Sequence, residues 1–379
     1  MPVYFDYNAT TPLDPVVRQA MVQSLDEAWG NPSSVHAVGR AARAVLDEAR
    51  YRFAGWWKCK PSEVVFTGGG TEANNLAVLG TARRMRSSGQ HLICSPVEHP
   101  AVLHAFDYLE RFEGFQVTRL PVDAQGRVAV ESVAAALRPD TTMVSVMAAN
   151  NEVGTLQPVA EIGALCRERG VLFHTDAVQV FGKEPILDVH RFNADLVTVC
   201  AHKFHGPKGA GVLYIRSPLL PVALQIGGAQ ENERRGGTEN ISAIVGLATA
   251  YERNVLTPTF PDAGLRAMTN RLAEVIAGIP GVTLRGHAIQ RLANTLAFTV
   301  SGADSIGLLA NLDMEGVCAS SGSACSAGSL EPSHVLRAMG VPLAEANSLV
   351  RFSLGRENTM SEVEQVCDLL PSLIQRVRR

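Results

Sequence analysis

Charge of one sign is the first thing this sequence lacks. Its 34 Lys and Arg stand against 37 Asp and Glu, a net charge of −3 over 379 residues. No Lys/Arg block is dense enough to build a nucleic-acid face. Paired cysteines are missing too. The seven (Cys59, Cys94, Cys166, Cys200, Cys318, Cys325 and Cys367) are odd in number and scattered, with no C-x-x-C spacing. That argues against a disulfide framework or a zinc site, and no metal site is expected. Most of them read as small buried hydrophobes in a reducing cytoplasm. No apolar run approaches the ~18–20 residues of a membrane helix. The opening MPVYFDYNATT has neither a basic start nor an apolar stretch, so no signal peptide is expected and a cytoplasmic location is. Repeats, low-complexity tracts and linker-like segments are absent as well.

What is present is an ordinary globular composition, 46% hydrophobic and 19% charged. The length suits a large domain with a smaller companion, ample to bury a core without staples. Short apolar runs follow one another at 63–67 (EVVFT), 91–95 (HLICS), 143–148 (MVSVMA), 171–175 (VLFHT), 196–200 (LVTVC) and 211–215 (GVLYI). Helix-periodic stretches such as 71–84 and 159–169 lie between them. This alternation predicts an α/β fold, a mostly parallel sheet flanked by helices. Parallel strands buried on both faces read as continuous apolar runs, as these do. A boundary is expected near 257–261 (TPTFP). After it come a helix at 262–277, strands at 294–300 and 349–354 on either side of a Ser/Gly-rich loop, and a terminal helix, an α+β pattern. The expected units are 14–258, the large domain, and 1–13 with 259–379, the small one. The segment before Asp14 is too short to stand alone and must dock elsewhere.

Ligands of open α/β sheets sit outside the carboxyl ends of the strands, and reactive side chains gather there. Gly68-Gly69-Gly70-Thr71 follows EVVFT and opens a helix, so backbone N–H groups and the Thr71 hydroxyl can converge on an anion; a plain tight turn is the alternative. Asp176 ends VLFHT, where a carboxylate is costly to bury unless a cation faces it. A pyridinium nitrogen is one such cation, and capping the next turn is the plainer role. Lys203, in Ala201-His202-Lys203-Phe204-His205-Gly206-Pro207, stands at the mouth of LVTVC, where a partly desolvated amine suits a Schiff base. A solvated loop lysine is the other reading. His99, just past HLICS, could stack on a flat ring and shuttle protons, or be structural.

Cys325 breaks the bland reading of the cysteines. Its neighbours in 320–329 (SSGSACSAGS) are small and mostly polar, so no apolar pattern buries it. A thiol on such a loop is a candidate nucleophile, or an incidental cysteine. Arg351 lies inside the apolar run VRFS, where an arginine calls for a dedicated anion such as a carboxylate. The turn 236–240 (GGTEN) offers a second hydroxyl, Thr238, for phosphate.

In order and spacing, FDYNATT, GNPSSVHAVGR, FTGGGTEANN, VEHPAV, ANNEVGT, HTDAVQ, AHKFHGPKG, RRGGTEN, SSGSACSAGSLEPSHV and VRFSLGREN cover nearly the whole chain. Together they make it resemble the group I cysteine desulfurases of the NifS/IscS type, fold-type-I pyridoxal-phosphate enzymes. The resemblance implies a seven-stranded large-domain sheet and pyridoxal 5'-phosphate as cofactor. It implies that Lys203 forms the Schiff base and moves the α-proton, His99 stacks on the ring, and Asp176 pairs with the ring nitrogen. Gln179 and Asn151 would lie near the ring oxygen, with Asn151 also near substrate. Gly70, Thr71, Cys200 and His202 would hold the phosphate, joined by Thr238 from the other subunit of a homodimer. Arg351 would bind the carboxylate of L-cysteine. Cys325 would take its sulfur as a persulfide, leaving alanine, and pass it to an iron–sulfur scaffold protein, where it could touch a cluster transiently.

One departure is Cys200, where many housekeeping relatives have serine. A thiol is a weaker donor to phosphate. With GSLEPSHVLRAMG, it leans the resemblance toward the nitrogen-fixation branch. A selenocysteine lyase or aminotransferase of the same fold, or a catalytically dead relative acting as a binding partner, are the competing readings. Retention of both Lys203 and Cys325 speaks against the last.

Overall fold

The structure is a computed structural model that describes residues 2–186, 188–257, 262–322 and 332–378. Twelve strands are found among them: β1 (Val3–Tyr4), β2 (Val64–Thr67), β3 (His91–Cys94), β4 (Gln116–Arg119), β5 (Thr141–Ser145), β6 (Leu172–Asp176), β7 (Leu196–Cys200), β8 (Gly211–Ile215), β9 (Val282–Arg285), β10 (Thr295–Val300), β11 (Val317–Cys318) and β12 (Val350–Ser353). Seven form one sheet in the order β2-β8-β7-β6-β5-β3-β4. β7, β6, β5, β3 and β4 run parallel, and β8 is antiparallel to both neighbours. The α/β expectation and the seven-stranded sheet are both met.

The flanking helices follow from their sequences. Pro100–Glu113 starts at His99, whose ring caps the Ala101 N–H, has proline in its first turn, and stops at Gly114 in the left-handed region at φ 72°. Its buried Val102, Ala105, Phe106 and Leu109 recur every three or four residues, one stripe against the sheet. The predicted helix 71–84 is broken into Gly70–Asn75, a π-helical turn Leu76–Gly80, and Thr81–Met85. The apolar run 143–148 pairs only as far as Ser145; the rest stays buried as irregular backbone, with the Val146 and Ala148 N–H groups donating to His174 and Asp176 carbonyls. In this run, length marks burial, and pairing ends earlier.

The second sheet is antiparallel, β12-β10-β9, and packs against the helices Asp262–Ala277 and Met360–Val377. Leu272, Ile276, Phe298, Phe352, Val366 and Leu370 belong to its core. The N-terminal segment docks here. β1 pairs parallel with β11, and Phe5 and Tyr7 are buried in this core. The chain then crosses to the large sheet, where the Thr11 N–H donates to the His202 carbonyl at 3.0 Å and the His205 N–H donates to Thr11 Oγ1 at 2.7 Å. That crossing carries residues 6–11 over the carboxyl ends of β6 and β7.

Candidate active site

A cavity of about 190 Å³ lies at those strand ends, and Lys203 is part of its wall. β7 ends at Cys200 and tightens into the short turn Ala201–Lys203. Gly206 closes the turn, because a Cβ there would lie 2.8 Å from the Ala201 carbonyl oxygen. The Lys203 amine donates to the carbonyls of Asn8 at 2.7 Å and Ala9 at 2.8 Å. Burial lowers its pKa to about 8. An amine so placed is available as a free base near neutral pH, which a Schiff-base lysine needs.

Asp176 is 5% exposed and fully engaged. Its Oδ1 accepts from the Val178 N–H at 3.0 Å and its Oδ2 from Asn74 Nδ2 at 2.7 Å. It caps the following turn, the plainer of its two expected roles, and it lines the cavity. Asn74 Oδ1 is buried with no hydrogen-bond partner among the described residues. His99 lines the same cavity; its Nδ1 accepts from the Ala101 N–H at 3.1 Å, and burial pushes its pKa below the ordinary histidine range. With one ring nitrogen tied to the backbone, the imidazole plane is fixed and the other nitrogen is left for ligand. Gln179 donates through Nε2 to the Asn8 carbonyl at 3.1 Å.

Gly70, Thr71, Cys200 and His202 line one end of the cavity. Gly69 enters that turn at φ 145°, and a Cβ on Gly70 would sit 3.2 Å from Val178 and 3.5 Å from Cys200. His202 Nδ1 is paired with Thr10 Oγ1 at 3.1 Å, and burial lowers its pKa to about 3, so the ring is neutral with Nε2 unclaimed by that bond. The Cys200 thiol is buried, contacts the Ala210 carbonyl at 3.7 Å, and is pushed above its ordinary pKa by burial. It stays a neutral, weak donor. A wider cleft of about 670 Å³ continues from this end past Lys208 and Arg235.

At the opposite side stands Arg351, 1% exposed within β12. The anionic partner its position demands is Asp6: Nη2 donates to Asp6 Oδ1 at 2.6 Å. Nη1 donates to the carbonyls of Asn151 at 2.9 Å and Gly322 at 2.7 Å, and Nε is buried without a partner among the described residues. The Arg351 backbone also pairs with Ser320. The strand bearing Arg351 is thus tied to residues 320 and 322, just ahead of Cys325. Cys325 itself lies outside the described residues. Thr238 is exposed and does not line the cavity of its own chain.

Sequence reasoning missed Asp6, Asn8, Asn74 and Lys183. Asn8 binds the site together: its side chain contacts Thr295, Asn151, Lys183 and Asn294, and its carbonyl accepts from Gln179 and Lys203. The signal was present in FDYNATT, read as a docking segment and a motif of the resemblance with no role given to its residues. Lys183 could have been found only from its spacing of four after Gln179.

The aminotransferase class-V family model matches residues 3–366 of the chain. "Cysteine desulfurase IscS" of Methanosarcina thermophila is 44% identical over 99% of this chain and 93% of its own length. This chain is a cysteine desulfurase of the class-V aminotransferase family. Among solved structures, a "NifS-like protein" superposes with a TM-score of 0.91 at 34% identity, covering 100% of both chains. "SspA in complex with cysteine" superposes at 0.82 and 35% identity, covering 94% of this chain and 100% of its own.

The cofactor of this desulfurase is pyridoxal phosphate, and the residues present fit it. A lysine amine, a buried carboxylate and a glycine-opened helix start surround one small cavity. The unpartnered Asn74 Oδ1 and the glycine cradle at Gly70 are features that a core built only for packing does not need. Among the described residues, no group of three or more His, Cys, Asp or Glu could hold a metal ion, and no helix is long and apolar enough to cross a membrane.

Proposed function

We propose that this desulfurase converts L-cysteine to L-alanine while Cys325 receives the sulfur as a persulfide. The observation that carries this reading is the tie between Arg351 in the cavity wall and residues 320 and 322, which lead to Cys325. It joins the end that would grip an amino-acid carboxylate to the segment bearing the thiol. The residues that would hold the cofactor are Lys203 by covalent linkage, Asp176 at the ring nitrogen, His99 on the ring face and Gln179 with Asn151 near the ring oxygen. Gly70, Thr71, Cys200 and His202 would hold its phosphate, with Thr238 supplied by the second subunit of a homodimer. When bound, pyridoxal phosphate supplies an electron sink for negative charge left at carbon.

Arg351 would orient cysteine through its carboxylate, so that the α-hydrogen faces Lys203. The free Lys203 amine would then take that proton and later return it at carbon. Cys325, as thiolate, would attack the substrate sulfur. The S–S bond forms as the C–S bond breaks, the electron pair of the broken bond remains with carbon, and protonation there yields alanine. Cysteine and the Cys325 thiol become alanine and the Cys325 persulfide, and atoms balance. A serine hydroxyl cannot replace it, being almost never ionised near neutral pH. The acceptor we propose is an iron–sulfur scaffold protein in the cytoplasm, in the nitrogen-fixation branch by the Cys200 feature. We also propose 14–258 as the cofactor domain, with 1–13 and 259–379 as its companion.

The test is product analysis with cysteine, a reductant and no keto acid. Equal alanine and sulfide, with a persulfide mapped to Cys325, are expected. The Cys325→Ser variant should bind cofactor and cysteine yet release no sulfide above background. Alanine formed only with a keto acid would mean an aminotransferase. Turnover confined to selenocysteine would mean a lyase of that substrate.

A further inference from the structure

Lys183 is 4% exposed, an unusual position for a lysine. It does not line the cavity, and the proposed mechanism does not use it. Its amine donates to Asn8 Oδ1 at 2.7 Å and, by a short bond, to Gln179 Oε1. Both amides turn their oxygens toward the amine, which donates to each. At Gln179 that choice leaves Nε2 on the other side, where it donates to the Asn8 carbonyl at 3.1 Å beside the cavity. At Asn8 it leaves Nδ2 to donate to Thr295 Oγ1 at 2.9 Å and the Asn151 carbonyl at 3.2 Å. The same Asn8 presents the carbonyl that receives the Lys203 amine at 2.7 Å.

We infer that Lys183 is a positioning residue for the cofactor: it holds the Gln179 amide with its N–H group toward the ring oxygen and, through Asn8, fixes where the Lys203 amine rests. This rests on the reading that Gln179 meets the ring oxygen. A methionine of similar length would fill the space without the desolvation that a buried amine suffers. Burial, reinforced by the nearby positive charges of Lys203 and Arg351, holds the Lys183 amine well below its ordinary pKa. The charged or titratable groups facing Lys183 include Lys203, Arg351, Asp6 and His202, and those facing Lys203 include Cys200, Arg351, Asp176, Asp6, His99, His202 and Lys183 itself. All but Lys183 itself are retained in the variants below, and Gln179→Leu leaves every one of these charges in place.

The experiment compares Lys183→Met, Gln179→Leu and the double variant as purified holoprotein without substrate. Equilibrium dialysis gives the dissociation constant of pyridoxal phosphate, and a pH titration of its bound absorption band gives a midpoint. Loss of an oriented donor at the ring oxygen should weaken retention about fivefold or more. It should also raise the midpoint, because a phenolic oxygen without its donor leaves the adjoining nitrogen more basic. Lys183→Met and Gln179→Leu should move both readouts in the same direction, and the double variant should add little to Gln179→Leu. Parental values in Lys183→Met beside shifted values in Gln179→Leu would overturn the proposal and leave the Gln179 reading standing. Parental values in Gln179→Leu would sink that reading and the proposal with it. Where Lys183→Met does not fold, Lys183→Ala, which offers no donor, decides: a raised midpoint supports the positioning role and an unchanged one removes it.

Discussion

At the scale of single residues, the site is governed by how burial treats charge. Lys203 and Arg351 share one cavity wall yet respond differently. The lysine amine is lowered to about 8 and becomes a usable base, whereas guanidinium remains a cation in proteins and must be paired. At pH 7 an amine of pKa 8 is roughly 10% free base, against about 0.04% for an ordinary lysine. Capture of pyridoxal phosphate by the apoprotein should therefore rise with pH and level off just above pH 8, as measured by stopped-flow absorbance. A rate still climbing about tenfold per unit near pH 9 would show an unperturbed lysine. The same depression means that the unfolded chain binds more protons than the folded apoprotein between about pH 8 and 10.4, so this group adds stability as pH rises through that window. For Arg351, the pairing with Asp6 at 2.6 Å shows the fork already holding one carboxylate. Burial raises the Asp6 pKa while Arg351 opposes the rise. Arg351→Lys keeps a charge for Asp6 but loses the second arm toward Asn151 and Gly322. It should cost about 2–3 kcal/mol, roughly 30- to 150-fold in kcat/KM for cysteine. An unchanged kcat/KM takes Arg351 out of the substrate site.

At the scale of elements, what could be read in the sequence divides by whether a side chain's role is local. β7 and β8 have the bounds their apolar runs predict, because every residue in each is buried. β4 escaped notice because Gln116–Arg119 is a half-exposed edge strand with no apolar run to announce it. β9 is hidden the same way. Strand-end residues such as Asp176 and Lys203 were legible because a charged group at a buried strand's mouth is locally anomalous, whereas Cys200 stood out only through the resemblance. Asn8 and Lys183 were not, since asparagine in an irregular segment and lysine after a turn are locally ordinary. Their meaning arises only where the N-terminal segment crosses the large sheet, bringing together residues 175 positions apart in sequence. The break in the helix after Asn75 belongs to the same class: periodicity finds the helix, but tertiary packing decides where a π turn enters.

For the whole molecule, the question is whether one chain completes the site. Thr238 is exposed and lies outside its own chain's cavity, although the resemblance assigns it a phosphate contact. Trp29, Val35 and Ile226 are at least 73% exposed, large apolar surface that a second copy could cover. If each site borrows Thr238 from its neighbour, mixing Lys203→Ala with Thr238→Ala subunits makes hybrid dimers of unequal sites. One site then carries both defects, and the other has Lys203 from one chain and Thr238 from the other. That second site should hold pyridoxal phosphate with the parental affinity and turn over cysteine at limiting cofactor. Homodimers of Thr238→Ala should need about fivefold more cofactor, one lost hydrogen bond to a charged group being worth at least about 1 kcal/mol. The measurement is cofactor-dependent sulfide release before and after subunit exchange, with exchange confirmed by mass spectrometry of intact dimers. Appearance of a parental-affinity class is the expected result. Were Thr238 to serve its own chain, no hybrid site would be whole, and exchange would leave the cofactor dependence at that of Thr238→Ala.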